Sequence, residues 1–264
     1  KFARKESRMM LASNTVEAAY EEIQDFTRFE FKYLLDGNQA ENIEQEIRHF
    51  MEFDGHIDKD HGDRYMVRSL YFDTPGRTNF YDKIDGVKAR RKYRLRTYSS
   101  MPSAEVPIFL EEKNRMDNRV FKYRTPVMLG DLENIVSNAG PVALLADHSG
   151  NELMQRFVER SLIANEQPLV LVGYFRRAFV SNYDIDFRVT FDSQISSIPA
   201  RSLFSAVGVS MRSCLPGYTV LEIKFKRRVP SWFHRIIQSY QLRRVSISKF
   251  CEGMTTSGLA VDLS

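Results

Sequence analysis

The sequence predicts an α+β protein: an eight-stranded antiparallel β-barrel with helices packed outside it. Three observations lead there. Eight segments alternate polar and apolar residues with a period of two, and several are joined by short turns. The regular strand-helix alternation that a parallel sheet needs is absent. Charge also collects on one face of strand after strand, as it would in a barrel with a polar interior.

Residues 1 to 25 mix charge with Met and Ala and are read as an N-terminal extension, helical or disordered. Thr27 to Leu35 is the first strand, with Arg28, Glu30 and Lys32 on one face and Phe29, Phe31 and Tyr33 on the other. Asp36-Gly37-Asn38 breaks it, and Asn38 to Glu52 spaces Ile43, Ile47 and Phe50 as a helix that covers one barrel end. Val67 to Asp73 is a strand stopped by Thr74-Pro75-Gly76, and Lys88 to Tyr98 is a long one. Pro107 to Arg115 and Arg119 to Arg124 form a hairpin through Met116-Asp117-Asn118. Leu169 to Val180 and Tyr183 to Asp192 form another through Ser181-Asn182. Thr219 to Lys226 is the eighth strand. Helices are expected at Asp131 to Asn138, Asn151 to Ala164 and Pro230 to Tyr240, the last with proline in its first turn.

The charged faces carry the chemistry. Between Lys88 and Tyr98, one face holds Lys88, Arg90, Lys92, Arg94 and Arg96; the other holds Ala89, Arg91, Tyr93, Leu95 and Thr97. Glu111, Lys113 and Arg115 share a face, as do Lys122 and Arg124, as do Arg188, Thr190 and Asp192, and as do Glu222, Lys224 and Lys226. For any single strand, the ordinary reading is a solvated outer face. Two features argue against it for the set. Stacked like charges repel unless an anion lies among them, and Glu-x-Lys recurs at Glu30/Lys32, Glu111/Lys113 and Glu222/Lys224. Turned inward, such faces line a tunnel. Arginine forks and lysine point charges match phosphate oxygens. Carboxylates among phosphates call for a hard cation, Mg2+ or Mn2+, bound by one or two of them.

The formal charge of +4 on 264 residues is too small to attract polyanions in bulk, so an anion site must come from segregated charge. Two cysteines give no disulfide framework, and five scattered histidines, including His56 and His61 in a polar loop, have no metal-ligand spacing. No Gly-rich phosphate loop or nucleophile elbow occurs. Nor is there a run of eighteen apolar residues or the apolar core of a secretory signal, so a cytoplasmic protein without a transmembrane segment is expected. Aromatic residues alternate away from the charges, which disfavours a nucleic-acid polymer as partner.

The segments F-E-F-K-Y (29 to 33), S-L-Y-F-D-T (69 to 74), Y-R-L-R (93 to 96), F-L-E-E-K (109 to 113), F-R-R-A-F (175 to 179), R-V-T-F-D (188 to 192), L-E-I-K-F (221 to 225) and S-K-F (248 to 250) stand in an order that resembles the catalytic domain of the vacuolar transporter chaperone (VTC) polyphosphate polymerases, a branch of the triphosphate tunnel metalloenzymes. The resemblance runs from about Arg28 to Gly253. It implies one tunnel domain over residues 26–254, followed by a tail at 255–264. It also implies transfer of the γ-phosphate of ATP to inorganic polyphosphate, with Mn2+ or Mg2+ as cofactor. By position, Arg94, Arg96, Arg176 and Lys32 are implied as catalytic, and Lys113, Lys122, Arg188 and Lys249 as substrate-binding, to which Lys224 is added from its strand face. Glu222 is the implied metal ligand, with Glu30 and Glu111 as further candidates. The first strand lacks the Glu-x-Glu-x-Lys of tunnel triphosphatases and cyclases, which weakens a hydrolase reading. A triphosphatase and a non-catalytic polyphosphate-binding module remain the alternatives, and membrane partner proteins are open.

Overall fold

Among the described residues the alternating segments assemble into one antiparallel sheet of eleven strands. The structure is a computed structural model that describes residues 24–26, 29–55, 63–116, 119–137, 141–148, 150–181, 183–184, 186–204 and 209–262. Residues 1–23 of the extension expected at 1–25, the turn residues Asp117, Asn118 and Asn182, and the His56 to His61 loop lie outside the described residues, while Gln24 and Asp25 belong to the first strand.

The strands are β1 (Gln24–Phe26), β2 (Phe29–Asp36), β3 (Met51–Phe53), β4 (Tyr65–Asp73), β5 (Ala89–Thr97), β6 (Ile108–Met116), β7 (Arg119–Val127), β8 (Gln167–Ser181), β9 (Arg188–Pro199), β10 (Arg212–Ser213) and β11 (Tyr218–Phe225). Hydrogen-bonded neighbours follow the order β1-β7-β6-β5-β4-β8-β9-β11-β2, with β3 on β8 and β10 on β9.

This corrects the eight-stranded closed barrel expected from the sequence. There are three more strands, each of two or three residues and too short to show a period, and the path is open, from β1 to β2. Its two ends are nevertheless consecutive in the chain. Gln24 to Phe26 pairs with Lys122 to Val120, while β2 pairs with β11 along its whole length. Farther along β2, Tyr33 bridges to Arg244, and the Val245 N–H donates to the Lys32 carbonyl at 2.8 Å.

The expected strand at Tyr183 begins only at Arg188 and continues to Pro199. Ser181 Oγ accepts from the N–H groups of Tyr183 and Asp184, and the Asp184 carbonyl accepts from Phe187 N–H, so this stretch turns instead of pairing.

The helices are α1 (Gly37–Ile47), α2 (Thr78–Ile84), α3 (Leu132–Val136), α4 (Pro141–Asp147), α5 (Glu152–Ala164), α6 (Ser231–Ser239) and α7 (Lys249–Thr256). Asp36 and Gln39 form a reciprocal capping box at the start of α1. That helix stops at Ile47, not Glu52, because the chain re-enters the sheet as β3 beside Phe179 to Ser181. Asn151 caps α5, and Pro230 is the residue before α6, one position earlier than expected.

Parity along the strands separates two faces. Outward residues of β2, β9 and β11 (Tyr33, Leu35, Phe191, Leu221 and Ile223) bury against α1 and α6 through Ile43, Ile47, Phe233 and Ile236. Outward residues of β4, β5 and β6 bury against Phe157 and Met154 of α5. Each fully buried Leu, Ile or Phe contributes about 1.5–3 kcal/mol, so these layers fix which parity faces out.

One helix departs from the expectation that all pack outside. Helix α7 lies on the inner face, with Phe250, Cys251 and Met254 against Val67, Tyr71, Val170, Val172, Ile195 and Val220. The approach is close: a Cβ on Gly253 would stand 2.7 Å from Val172 Cγ2. Ser248 caps the helix by accepting from Cys251 N–H at 3.4 Å.

Candidate active site

The polar part of the inner face begins where α7 starts. Lys249 Nζ lies 2.6 Å from Asp192 Oδ2 and 4.0 Å from Glu222 Oε2. Arg176 grips the same buried Asp192 with two bonds, Nε to Oδ1 at 2.6 Å and Nη2 to Oδ2 at 2.8 Å. Glu222 is further surrounded by Lys224 at 2.8 Å and Lys32 at 3.9 Å. Lys32 also pairs with Glu30 at 2.8 Å and donates to the Ile247 carbonyl. Glu30 in turn meets Lys113 at 3.5 Å, a contact that joins β2 to β6 although five strands lie between them along the sheet path.

On β6, Glu111 is 1% exposed and gathers Arg94 and Lys122, at 2.6 Å and 2.8 Å, with Arg96 at 3.8 Å. Arg94 Nη1 donates to the Tyr71 hydroxyl at 3.0 Å, and Arg96 donates to Ser69 Oγ at 3.2 Å and the Tyr174 hydroxyl at 3.4 Å. Arg176 and Lys249 both lie over the Tyr174 ring, so this tyrosine connects the Glu111 group with the Asp192 group. Arg188 stands at the edge, paired with Asp54.

All twelve sequence-predicted site residues therefore belong to one face. Their neighbours on the long cationic strand do not all join them. Lys92 sits over the Phe250 ring, where burial pushes its pKa down to about 8, and Arg90 donates to the Asp82 carbonyl. Sequence reasoning missed Tyr71, Tyr174, Ser69 and Asp54 as members. The first three have the right parity on their strands, a signal that was present but overshadowed by charge.

Burial and charge work against each other here. Burial alone would raise the carboxyl of Glu222, yet Lys224, Lys32, Lys249 and Arg176 hold it well below the usual carboxylate range. Glu111 is lowered likewise, against burial, by Arg94, Arg96 and Lys122, and Asp192 by Arg176 and Lys249. The carboxylates are thus ionised wherever the protein is folded at neutral pH. Burial with Arg94 and Arg96 nearby pushes Lys122 down to about 7, against the pull of Glu111.

The donor chemistry bears on metal binding. Glu111 pairs with three cations and Glu30 with two. Among the described residues no group of three His, Cys, Asp or Glu side chains is placed to hold a metal. Glu222 likewise is ionised, 6% exposed and on the inner face, amid Lys224, Lys32 and Lys249. One such carboxylate fits a hard cation whose other ligands are phosphate oxygens and water.

The VTC domain family matches residues 27–257. No curated protein matches the chain. Among solved structures, the chain is similar to the Bacillus halodurans protein bh2851, a candidate adenylate cyclase, with 12% identity, 84% of this chain and 96% of that one covered, and a TM-score of 0.47. It is also similar to the Mimivirus capping enzyme triphosphatase, with 9% identity, 81% and 89% covered, and a TM-score of 0.32. Likenesses this distant carry no part of the functional reading.

Proposed function

The chain belongs to the VTC domain family, and from that premise we propose that it is a polyphosphate polymerase, moving the γ-phosphate of ATP to the end of a growing polyphosphate chain. The observation that carries the reading is a surplus. Nine inner-face cations meet five carboxylates, Glu30, Asp54, Glu111, Asp192 and Glu222. A phosphate chain is the ligand that would neutralise the remainder. Closure of the sheet into a tunnel belongs to the same reading, supported by the end strands β1 and β2 being consecutive in the chain.

In this mechanism Arg94, Arg96 and Arg176 hold the γ-phosphate oxygens and Lys32 neutralises charge beside them. Lys113, Lys122, Arg188, Lys224 and Lys249 hold the neighbouring phosphates and the chain. A terminal oxygen of the chain attacks the γ-phosphorus in line, the bond from that phosphorus to the β-bridging oxygen breaks, and ADP leaves with the electron pair. Positioning and charge neutralisation supply most of the rate. Glu222 would hold Mn2+ or Mg2+, which would supply further charge neutralisation at the phosphates.

Among the described residues no helix is long and apolar enough to cross a membrane. A cytoplasmic site of action, where ATP is supplied, is part of the proposal, as is one tunnel domain over residues 26–254. Incubation with γ-labelled ATP and Mn2+, followed by gel separation, tests it. Labelled polymer is expected. Free phosphate alone would make the protein a triphosphatase, and neither product would make it a binding module.

A further inference from the structure

From Lys224 to Lys249 the chain carries eight Lys or Arg residues and no Asp or Glu, although the protein overall has 34 acids to 38 bases. A merely solvated stretch would mix the two signs at something like the overall ratio. This stretch also begins inside the site just described. Along the inner-face positions of β11 and just beyond, side-chain exposure rises from 7% at Glu222 to 32% at Lys224 and 46% at Lys226, so the lumen opens in that direction. At the opening, Lys226, Arg227 and Arg228, with Asp184 and Asp186, line a cavity of about 390 Å³.

Beyond the opening the basic surface is held rigidly. Helix α6 buries Phe233 and Ile236, and Trp232 stacks on Phe50 at 4.4 Å, which leaves His234 and Arg235 exposed. Arg244 lies over the Phe31 ring at 4.2 Å, and Arg243 beside it is exposed. Lys226 pairs with Asp186. Arg227, Arg228, Arg235 and Arg243 have no carboxylate in ion-pair range among the described residues. Exposed, unpaired guanidinium groups on a fixed wall, continuous with a basic lumen, are complementary to a linear polyanion.

We propose that this surface is a second binding site, an outer track that holds inorganic polyphosphate where it emerges from the lumen. The proposal rests on the reading of the lumen as a polyphosphate site. A chain that spans both sites binds as one bivalent ligand, so its affinity exceeds that of a triphosphate confined to the lumen.

The test compares the wild type with the Arg227→Gln/Arg228→Gln/Arg235→Gln variant. Binding of tripolyphosphate and of long-chain inorganic polyphosphate is measured by calorimetry, with thermal melting as the folding control. The substitutions lie on the surface, so the melt is expected to be unchanged. Tripolyphosphate affinity should be unchanged too, while long-chain affinity falls about tenfold at low salt and the difference narrows as salt rises. Unchanged long-chain affinity, or an equal loss for both ligands, overturns the track. If the variant instead loses binding to phosphatidylserine vesicles and keeps its long-chain affinity, the surface belongs to a membrane and the proposal is wrong. The two readings fail separately. Tripolyphosphate that does not bind the wild type removes the lumen reading even if long chains still bind through these arginines.

Discussion

Arg176 and Asp192 form a two-pronged pair across β8 and β9, and Asp192 is fully buried beneath it. A lumen of like-charged side chains would tolerate loss of one arginine with little effect on folding, but this geometry demands a different outcome. Arg176→Ala should abolish synthesis and also destabilise the fold. Lys249 remains beside Asp192, so the cost belongs at the lower end of the about 3–5 kcal/mol typical of breaking a buried pair. Denaturant melts of the variant with and without Lys249→Ala decide it. A wild-type midpoint in the single variant would mean the pair is energetically idle.

Glu111 serves Arg94, Arg96 and Lys122 together. Glu111→Gln strands those cations and should lower stability by about 3 kcal/mol or more at neutral pH. Its folded pKa lies below the unfolded value. The stabilisation it gives is therefore complete above the unfolded carboxyl pKa and is lost as pH falls through the depressed one. Wild type and variant should accordingly converge in strongly acidic solution. Tripolyphosphate should raise the melting temperature of the variant more than that of the wild type, since a phosphate can take the place of the missing carboxylate. An equal rise in both would disconnect Glu111 from the anion site.

Glu222→Gln removes the inner-face carboxylate proposed to hold the metal and keeps its shape. Synthesis should fall by about two orders of magnitude or more, with a raised Mn2+ requirement for whatever remains. A normal Mn2+ titration curve in the variant would place the metal elsewhere.

Tyr71 supports Arg94 through its hydroxyl at 3.0 Å. Tyr71→Phe deletes that acceptor without opening a cavity and should reduce kcat by about tenfold while changing stability by about 1 kcal/mol. A loss confined to KM would instead assign the hydroxyl to uniform substrate binding.

Strand parity made the inner face legible: alternation alone put Arg94 with Arg96 and Glu222 with Lys224. What it could not supply was the partners. Glu30/Lys32 and Glu222/Lys224 do pair within their own strands, yet the third such motif divides, Glu111 turning to β5 and β7 and Lys113 reaching Glu30, 83 residues away. Like charges that looked stacked are met in part by acids from other strands, Arg94 and Arg96 by Glu111 of β6. Helix α7 was illegible for a related reason. Eight residues carry too little periodicity to announce a helix, and its inward position depends on contacts with strands β4, β8, β9 and β11.

Gly253 gives that inward helix a mechanical meaning. Its hydrogen-only position lets α7 rest directly on β8, where even one methyl group would be 2.7 Å from Val172 Cγ2 and 3.4 Å from Ser197 Cβ. Lys249 rides at the other end of the same short rod, one turn away. The ammonium that touches Asp192 is therefore located by a stop, much as a key is located by its shoulder. Any change that thickened the stop would be delivered to the Lys249–Asp192 pair, and so to the proposed phosphate subsite, as a shift of the whole helix.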